Sequence, residues 1–260
     1  TLMLCKNIRD YAREQDDEKL LGYAYYYSGE TYYLLNDVDK LFRNLSCSLP
    51  YLEHSRQHGL LARAYNILAI TSMNRGNAPF AMDYYLNARM YCEKYKLYDI
   101  GIIININIGM LYNNFGEYRQ AEKYLEQAYD LLQKNEEIPE YYSYLLNIYI
   151  GLGNSCFYQE EYMQAQEYAL RAKEVCSGHL EELEQIAFAC FEARLCNAMG
   201  KKEECDRNIA IVQKVSDTRM PILDIFDDLY AYCEMLLDTR KEEEFWKLVE
   251  LLEKMAREAK

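Results

Sequence analysis

The chain has 260 residues, half of them hydrophobic and 27% charged, and its formal net charge is −13 at pH 7. This excess of carboxylates argues against binding to nucleic acid or to an acidic membrane surface, because both need clustered cations. Few residues break helices, since there are only 11 Gly and 4 Pro. Abundant Leu, Ala, Glu, Lys and Tyr therefore predict an almost entirely helical protein. The 9 cysteines follow no CxxC spacing and no long apolar run occurs, which predicts a cytoplasmic protein without disulfides.

The predicted helices follow one another in pairs along a single continuous domain, residues 1–260. Residues 1–15 form a helix with Leu4, Ile8 and Tyr11 as its apolar stripe, which we interpret as the second helix of a truncated repeat. Six helical hairpins follow, at about 17–56, 59–96, 99–135, 139–177, 181–214 and 221–259.

The prolines agree with these boundaries at three places and conflict with them at one. Pro79, Pro139 and Pro221 fall in predicted first turns, where proline is tolerated because its missing N–H would have no partner there. Pro50 lies inside a predicted helix. It predicts a kink or a break, because proline removes one helical hydrogen bond.

A small residue recurs in the first helix of every hairpin, with a spacing of 40 that is broken once by 44. The six positions are Gly29, Ala69, Gly109, Gly153, Ala193 and Cys233. Small residues at a fixed period indicate helices that cross closely in every repeat, because a larger side chain would separate the backbones. This pattern predicts a solenoid of helical hairpins.

The placement of small residues resembles the tetratricopeptide repeat (TPR) over nearly the whole chain. The resemblance is clearest at Gly109, Tyr112, Ala121 and Ala128, and again at Gly153, Ala165 and Ala172. It implies an all-α, right-handed superhelical solenoid of about six TPR-like hairpins plus a partial one at the N-terminus. The period exceeds the common repeat of about 34 residues. Stretched repeats of this kind look like those of bacterial signalling proteins, namely peptide-sensing regulators and the sensory regions ahead of diguanylate cyclase (GGDEF) domains.

No residue pattern predicts catalysis, a cofactor or a metal. His54 and His58 share one helical face, but no acidic residue or cysteine lies beside them at ligand spacing, so we interpret them as polar residues at a helix end. Gly151 and Gly153 resemble a phosphate loop only in their spacing, because no strand precedes them and no Lys follows. We expect a protein that is not an enzyme.

The predicted binding surface is one stripe of the first helices, which line the concave face of a solenoid. It comprises the residues six and three before the small residue, and one and four after it, and we call it the groove stripe. Five of its 24 positions are Asn, although the chain has only 16 Asn. Asn is a mediocre helix former whose amide pairs well with peptide groups, so the enrichment favours peptide binding. The predicted groove residues are Tyr26, Arg63, Asn66, Ile106, Met110, Asn113, Asn147, Ile150, Asn154, Phe157, Arg194 and Asn197.

Two interpretations of these residues stay open. The Asn side chains can bind a peptide, with Arg63 or Arg194 meeting a carboxylate, or they can bond only to neighbouring helices. The C-terminal helix carries Phe245, Val249, Leu252, Ala256 and Ala259 at coiled-coil-like spacing. We expect Phe245 to Leu252 to pack as the second helix of the last hairpin, and the alternative is that the continuation of this helix leads into an output domain.

The preferred function is a protein- or peptide-binding module, the cytoplasmic sensory or scaffolding region of a bacterial signalling protein such as a diguanylate cyclase. The first alternative is the peptide-pheromone receptor region of a transcriptional regulator. The second is a structural scaffold that associates with itself, for example as a homodimer.

Overall fold

The structure is a computed structural model that describes residues 1–35, 37–213 and 226–258. Within these ranges the chain forms thirteen α-helices and no β-strand. The helices are α1 (Leu2–Glu14), α2 (Glu18–Leu34), α3 (Val38–His54), α4 (His58–Asn74), α5 (Ala78–Tyr95), α6 (Tyr98–Asn114), α7 (Tyr118–Gln133), α8 (Tyr141–Tyr158), α9 (Tyr162–Cys176), α10 (Glu182–Ala198), α11 (Lys202–Val212), α12 (Phe226–Asp238) and α13 (Glu242–Glu258). Pro221 and Ala259 lie outside the described residues, as does the side chain of Ala256.

Short polar segments begin the helices. The side chain of Asp17 accepts a hydrogen bond from the backbone N–H of Leu20, at 2.9 Å, which caps the N-terminus of α2. Asp37 does the same for α3 through the N–H of Lys40, at 3.2 Å. These carboxylates satisfy amides that have no partner inside the helix, and their charge favours the positive end of the helix dipole.

Small residues bring paired helices into close contact. A Cβ atom on Gly29 would lie 2.6 Å from Leu45 in α3, and one on Gly109 would lie 2.6 Å from Leu125 in α7. Gly153 behaves differently, because a Cβ there would lie 2.4 Å from Phe191 in α10, the first helix of the next hairpin. The nearest neighbour of Gly153 therefore belongs to the next hairpin.

The described chain divides into two compact units, and the division falls within the residues of α6. Unit 1 comprises residues 1–108 and unit 2 comprises residues 109–258. In unit 1, Leu41, Leu45, Leu52, Leu61 and Leu68 are almost completely buried. In unit 2, one large apolar cluster joins α10, α11, α12 and α13. The single domain over residues 1–260 stays a prediction.

The apolar stripe predicted for α1 is wrong. Leu4 is 62% exposed and Tyr11 is 57% exposed, whereas Cys5 and Ala12 are buried. Cys5 and Ala12 lie two turns apart and pack against α2, because the small side chains let the two helices approach closely. Of the three residues that the sequence pattern selected, Leu4 and Tyr11 are exposed, whereas Ile8 is half-buried on the same face as Cys5 and Ala12.

The break predicted at Pro50 is also wrong, because α3 continues through it to His54. Proline removes one helical hydrogen bond at a cost of about 3 kcal/mol. Leu45 and Leu52 are fully buried on either side of Pro50. Burial of a leucine contributes about 1.5–3 kcal/mol, so two of them offset the loss.

Candidate functional site

In unit 1 the groove stripe carries a buried tyrosine and an exposed arginine. Tyr26 is 1% exposed, and its hydroxyl donates a 2.7 Å hydrogen bond to Oε1 of Glu30. Burial raises the pKa of Tyr26 well above its usual value, and the Glu30 carboxylate adds to this, so the residue stays a neutral donor. Arg63 is exposed and its Nη2 lies 3.2 Å from Oδ2 of Asp99 in α6. This pair leaves Arg63 accessible to water on the surface of the unit.

Asn66 has a partner that the sequence pattern did not identify. The Nδ2 atom of Asn107 donates to Oδ1 of Asn66 at 3.0 Å, and both residues are half-buried. Asn107 lies two residues before Gly109, off the stripe, and only its place in an Asn-containing apolar run distinguishes it in the sequence. Ile106 is 1% exposed and belongs to the core of unit 1. Ile106 therefore supports the helix and presents no side chain to a ligand.

Asn113 uses both ends of its amide inside unit 2. Its Nδ2 donates to the carbonyl of Gly151 at 2.8 Å, and its Oδ1 accepts from the Ser155 hydroxyl at 2.8 Å. The residue is 6% exposed. Buried polar groups need such partners, because an unpaired amide loses its hydration without compensation. The expectation that Asn113 offers its amide to a ligand is therefore wrong, and the residue joins α6 to α8.

The other asparagines of unit 2 keep part of their amides available. Asn147 is half-buried and its Nδ2 donates to Ser143 of its own helix at 3.0 Å, which leaves Oδ1. Asn154 is half-buried and its Oδ1 accepts a hydrogen bond from Arg194, which leaves Nδ2. Asn197 is exposed. Ile150 is 1% exposed and lies in the core, whereas Met110 is half-buried.

Arg194 lies against aromatic side chains. Its guanidinium carbon is 4.7 Å from the ring centre of Phe157 and 5.2 Å from that of Tyr158. Nη1 donates to Oδ1 of Asn154 at 3.0 Å. Arg194 of α10 thus forms one contiguous group on the groove stripe with Asn154 and Phe157 of α8, which lie about 40 positions earlier in the chain. Its chemistry comprises a cation, an aromatic surface and an amide.

Within the described ranges, no group of three or more His, Cys, Asp or Glu side chains can hold a metal ion. His54 lies 3.3 Å from Glu18, whereas the His58 ring stacks on Tyr95 with centres 3.6 Å apart. Burial raises the pKa of the Cys156, Cys176, Cys196 and Cys233 thiols to about 11. Protonated thiols are poor nucleophiles. In addition, no helix of the described chain is long and apolar enough to cross a bilayer.

A cleft of about 310 Å³ between α9, α10 and α11 lies away from the groove stripe. Glu192 borders it with a 10% exposed side chain, and Nζ of Lys173 lies 2.5 Å from its Oε1. Burial raises the pKa of Glu192, and Lys173 opposes this effect. No pattern in the sequence indicated this pair.

The succession of helical hairpins with small residues at their crossings defines a helical-repeat protein of the TPR-like class, as predicted. The chain matches no family model, and no curated protein matches it in sequence. Solved structures do resemble it. That of apo RapI is similar over 97% of this chain and 90% of its own, with a TM-score of 0.80 and 14% identity.

Two solved complexes share the same fold. A Rap protein complexed with Competence and Sporulation Factor is similar over 94% of this chain and 66% of its own, with a TM-score of 0.71 and 14% identity. NprR in complex with its cognate peptide NprX is similar over 99% of this chain and 73% of its own, with a TM-score of 0.68 and 15% identity. Identities this low show the fold, and the prediction of a TPR-like solenoid is confirmed.

Proposed function

We propose that this chain is a non-enzymatic regulatory module that binds an extended peptide along the groove stripe of unit 2. The observation that carries the proposal is the group formed by Asn154, Phe157 and Arg194, which combines hydrogen-bonding and apolar chemistry on one helical stripe. The solved complexes of the same fold with Competence and Sporulation Factor and with NprX support it. They favour the peptide-receptor alternative over a sensory region of a diguanylate cyclase.

The available amide groups suit a peptide backbone. Oδ1 of Asn147 can accept from a peptide N–H, and Nδ2 of Asn154 can donate to a peptide carbonyl. Seven residues of α-helix rise by about 10 Å. An extended peptide rises by about 3.3 Å per residue, so the two asparagines match backbone groups about three residues apart.

Apolar side chains complete this surface. Phe157 and Met110 are half-buried, so that each offers part of its surface to an apolar side chain of the peptide. Ile150 lies beneath them in the core and holds α8 in place. The site therefore comprises Met110, Asn147, Asn154, Phe157 and Arg194.

Affinity selection from a pool of synthetic random hexapeptides, read by mass spectrometry, tests the proposal. We expect the wild-type protein to retain a restricted set of peptides. Asn147→Ala and Asn154→Ala should each lower retention about tenfold, because a hydrogen bond contributes about 1–1.5 kcal/mol. Asn87→Ala is the matched control, since Asn87 is exposed on α5 and away from the stripe. Equal retention by wild type and both groove variants would overturn the proposal.

Self-association is the second candidate, and exposed apolar side chains near the C-terminus favour it. Tyr230 is 59% exposed, Leu237 is 51% exposed and Trp246 is 58% exposed. Analytical sedimentation of the wild-type protein and of Trp246→Ala tests this candidate. Self-association requires that the wild-type protein forms a dimer and that the substitution weakens it. A diguanylate cyclase output domain stays a prediction without a supporting observation.

A further inference from the structure

Arg194 is a buried cation without an anionic partner in the part of the chain that the structure describes. It is 5% exposed, and its hydrogen bond is to the neutral amide of Asn154. Two positions earlier on the same helix, the buried Glu192 pairs with Lys173 at 2.5 Å.

The contacts of Arg194 with described residues orient its charge without neutralising it. The rings of Phe157 and Tyr158 attract the guanidinium through their π electrons, and Asn154 holds Nη1. A guanidinium has five N–H donors, of which one is used in this hydrogen bond. Burial removes most of the water that would accept hydrogen bonds from the other four N–H groups. An anion at this position therefore meets a cation that is already dehydrated and held in one orientation.

We propose that Arg194 binds a carboxylate of the peptide, an inference that rests on the proposed function and names the chemistry of its ligand. The forked guanidinium matches the two oxygens of a carboxylate. A single positive charge neutralises a carboxylate, whereas the dianion of a phosphate would leave a negative charge in a protein of net charge −13. The carboxylate comes either from the C-terminus of the peptide or from an Asp or Glu side chain. In the first case the peptide ends at α10, and its backbone lies along Asn154 and Asn147.

Four synthetic hexapeptide pools separate the two sources. They carry a free or an amidated C-terminus, and they either contain Asp and Glu or lack them. The amidated pool without Asp and Glu contains no carboxylate and serves as the reference. We expect the wild-type protein to retain at least one of the other three pools at least tenfold more strongly than this reference. Enrichment of the free-acid pool without acidic side chains identifies the C-terminus as the source. Enrichment of the amidated pool with Asp and Glu identifies a side chain.

Substitutions connect the preference to Arg194. Arg194→Gln should abolish the preference for a carboxylate, and Arg194→Lys should restore part of it. Arg207→Gln is the matched control, because Arg207 is an exposed arginine of α11 and its loss changes the net charge equally. The Nε–Hε resonance of Arg194 in the wild-type protein provides a readout that does not depend on a variant folding. It should shift with a selected free-acid or acidic peptide and stay unchanged with its neutral counterpart.

The two failures are distinguishable. Retention of all four pools to the same extent would overturn the role of Arg194 and leave the proposed function standing. A carboxylate preference that survives in a folded Arg194→Gln variant would also overturn that role. If wild type retains no peptide from any pool, both proposals are wrong.

Discussion

The guanidinium of Arg194 donates to Oδ1 of Asn154 at 3.0 Å and thereby joins α10 to α8. Both residues belong to the predicted groove stripe, and the sequence suggested that each would face a ligand separately. Asn107 and Asn66 form a similar pair in unit 1, at 3.0 Å. The Arg194–Asn154 and Asn107–Asn66 pairs therefore each connect neighbouring hairpins.

Asn113 should contribute to stability more than to binding. Replacement by Ala leaves the Gly151 carbonyl and the Ser155 hydroxyl without this partner in a buried place. We expect Asn113→Ala to lower the free energy of unfolding by about 1–3 kcal/mol. Asn147→Ala should change it by less than about 0.5 kcal/mol, because the half-buried Asn147 bonds only within its own helix. Urea unfolding of both variants measures the difference, and equal stabilities would contradict this account.

Gly153 should not tolerate a methyl group. A Cβ at this position would lie 2.4 Å from Cζ of Phe191, so the buried ring of Phe191 or the two helices would have to move. We expect Gly153→Ala to lower the free energy of unfolding by about 1–3 kcal/mol. Gly59 provides a control of opposite sign, because its Cβ would meet Ile100 at an ordinary 3.8 Å. Gly59→Ala should raise stability by about 0.5–1 kcal/mol, since Ala is the better helix former. A neutral effect of Gly153→Ala would mean that the close contact is relieved at little cost.

The nine cysteines should differ sharply in reactivity. Cys47 is exposed and the other eight are buried. Burial raises the pKa of Cys92 to about 12 and that of Cys233 to about 11, so little thiolate is present at neutral pH. A short treatment of the native protein with iodoacetamide should add one group, at Cys47, and treatment in urea should add nine. Mass spectrometry counts the adducts, and Cys47→Ser should react with none in the native state. Rapid native labelling at a second cysteine would contradict the packing described above.

Glu192 should make stability depend on pH. Burial raises its pKa above the ordinary value of 4.5, so the folded state binds this proton more tightly than the unfolded state does. The contribution of Glu192 to the free energy of unfolding is therefore greatest below about pH 4.5, and it is lost as the pH rises through the pKa of the folded state. Compared with Glu192→Gln, wild type should lose stability as the pH rises above about 4.5.

Thermal unfolding of both proteins across this range measures the effect of Glu192. Glu203→Gln is the control, because Glu203 is an exposed carboxylate of α11 and its loss changes the net charge equally. If the difference between wild type and Glu192→Gln does not change with pH, then Lys173 compensates fully for the burial of the carboxylate.

The amino-acid sequence by itself determined the helical class, the repeat and the stripe on which polar residues collect. These features can be recognised in the sequence alone. The apolar period of about 3.6 residues is set within each helix, and the recurrence of a small residue at a spacing of 40, broken once by 44, is visible in the chain itself. Gly29 and Gly109 meet Leu45 and Leu125 as that reasoning predicts.

Only the tertiary structure decided which groups the stripe leaves available. The side-chain amide of Asn113 is hydrogen-bonded to Gly151 and Ser155. Gly153 faces Phe191, and Arg194 is buried against Phe157. Each of these contacts joins residues about 40 positions apart in the chain, which lie on helices of different hairpins. Helical periodicity indicates which face of a helix is apolar, but the packing of the neighbouring hairpin decides which donors and acceptors on that face are already paired.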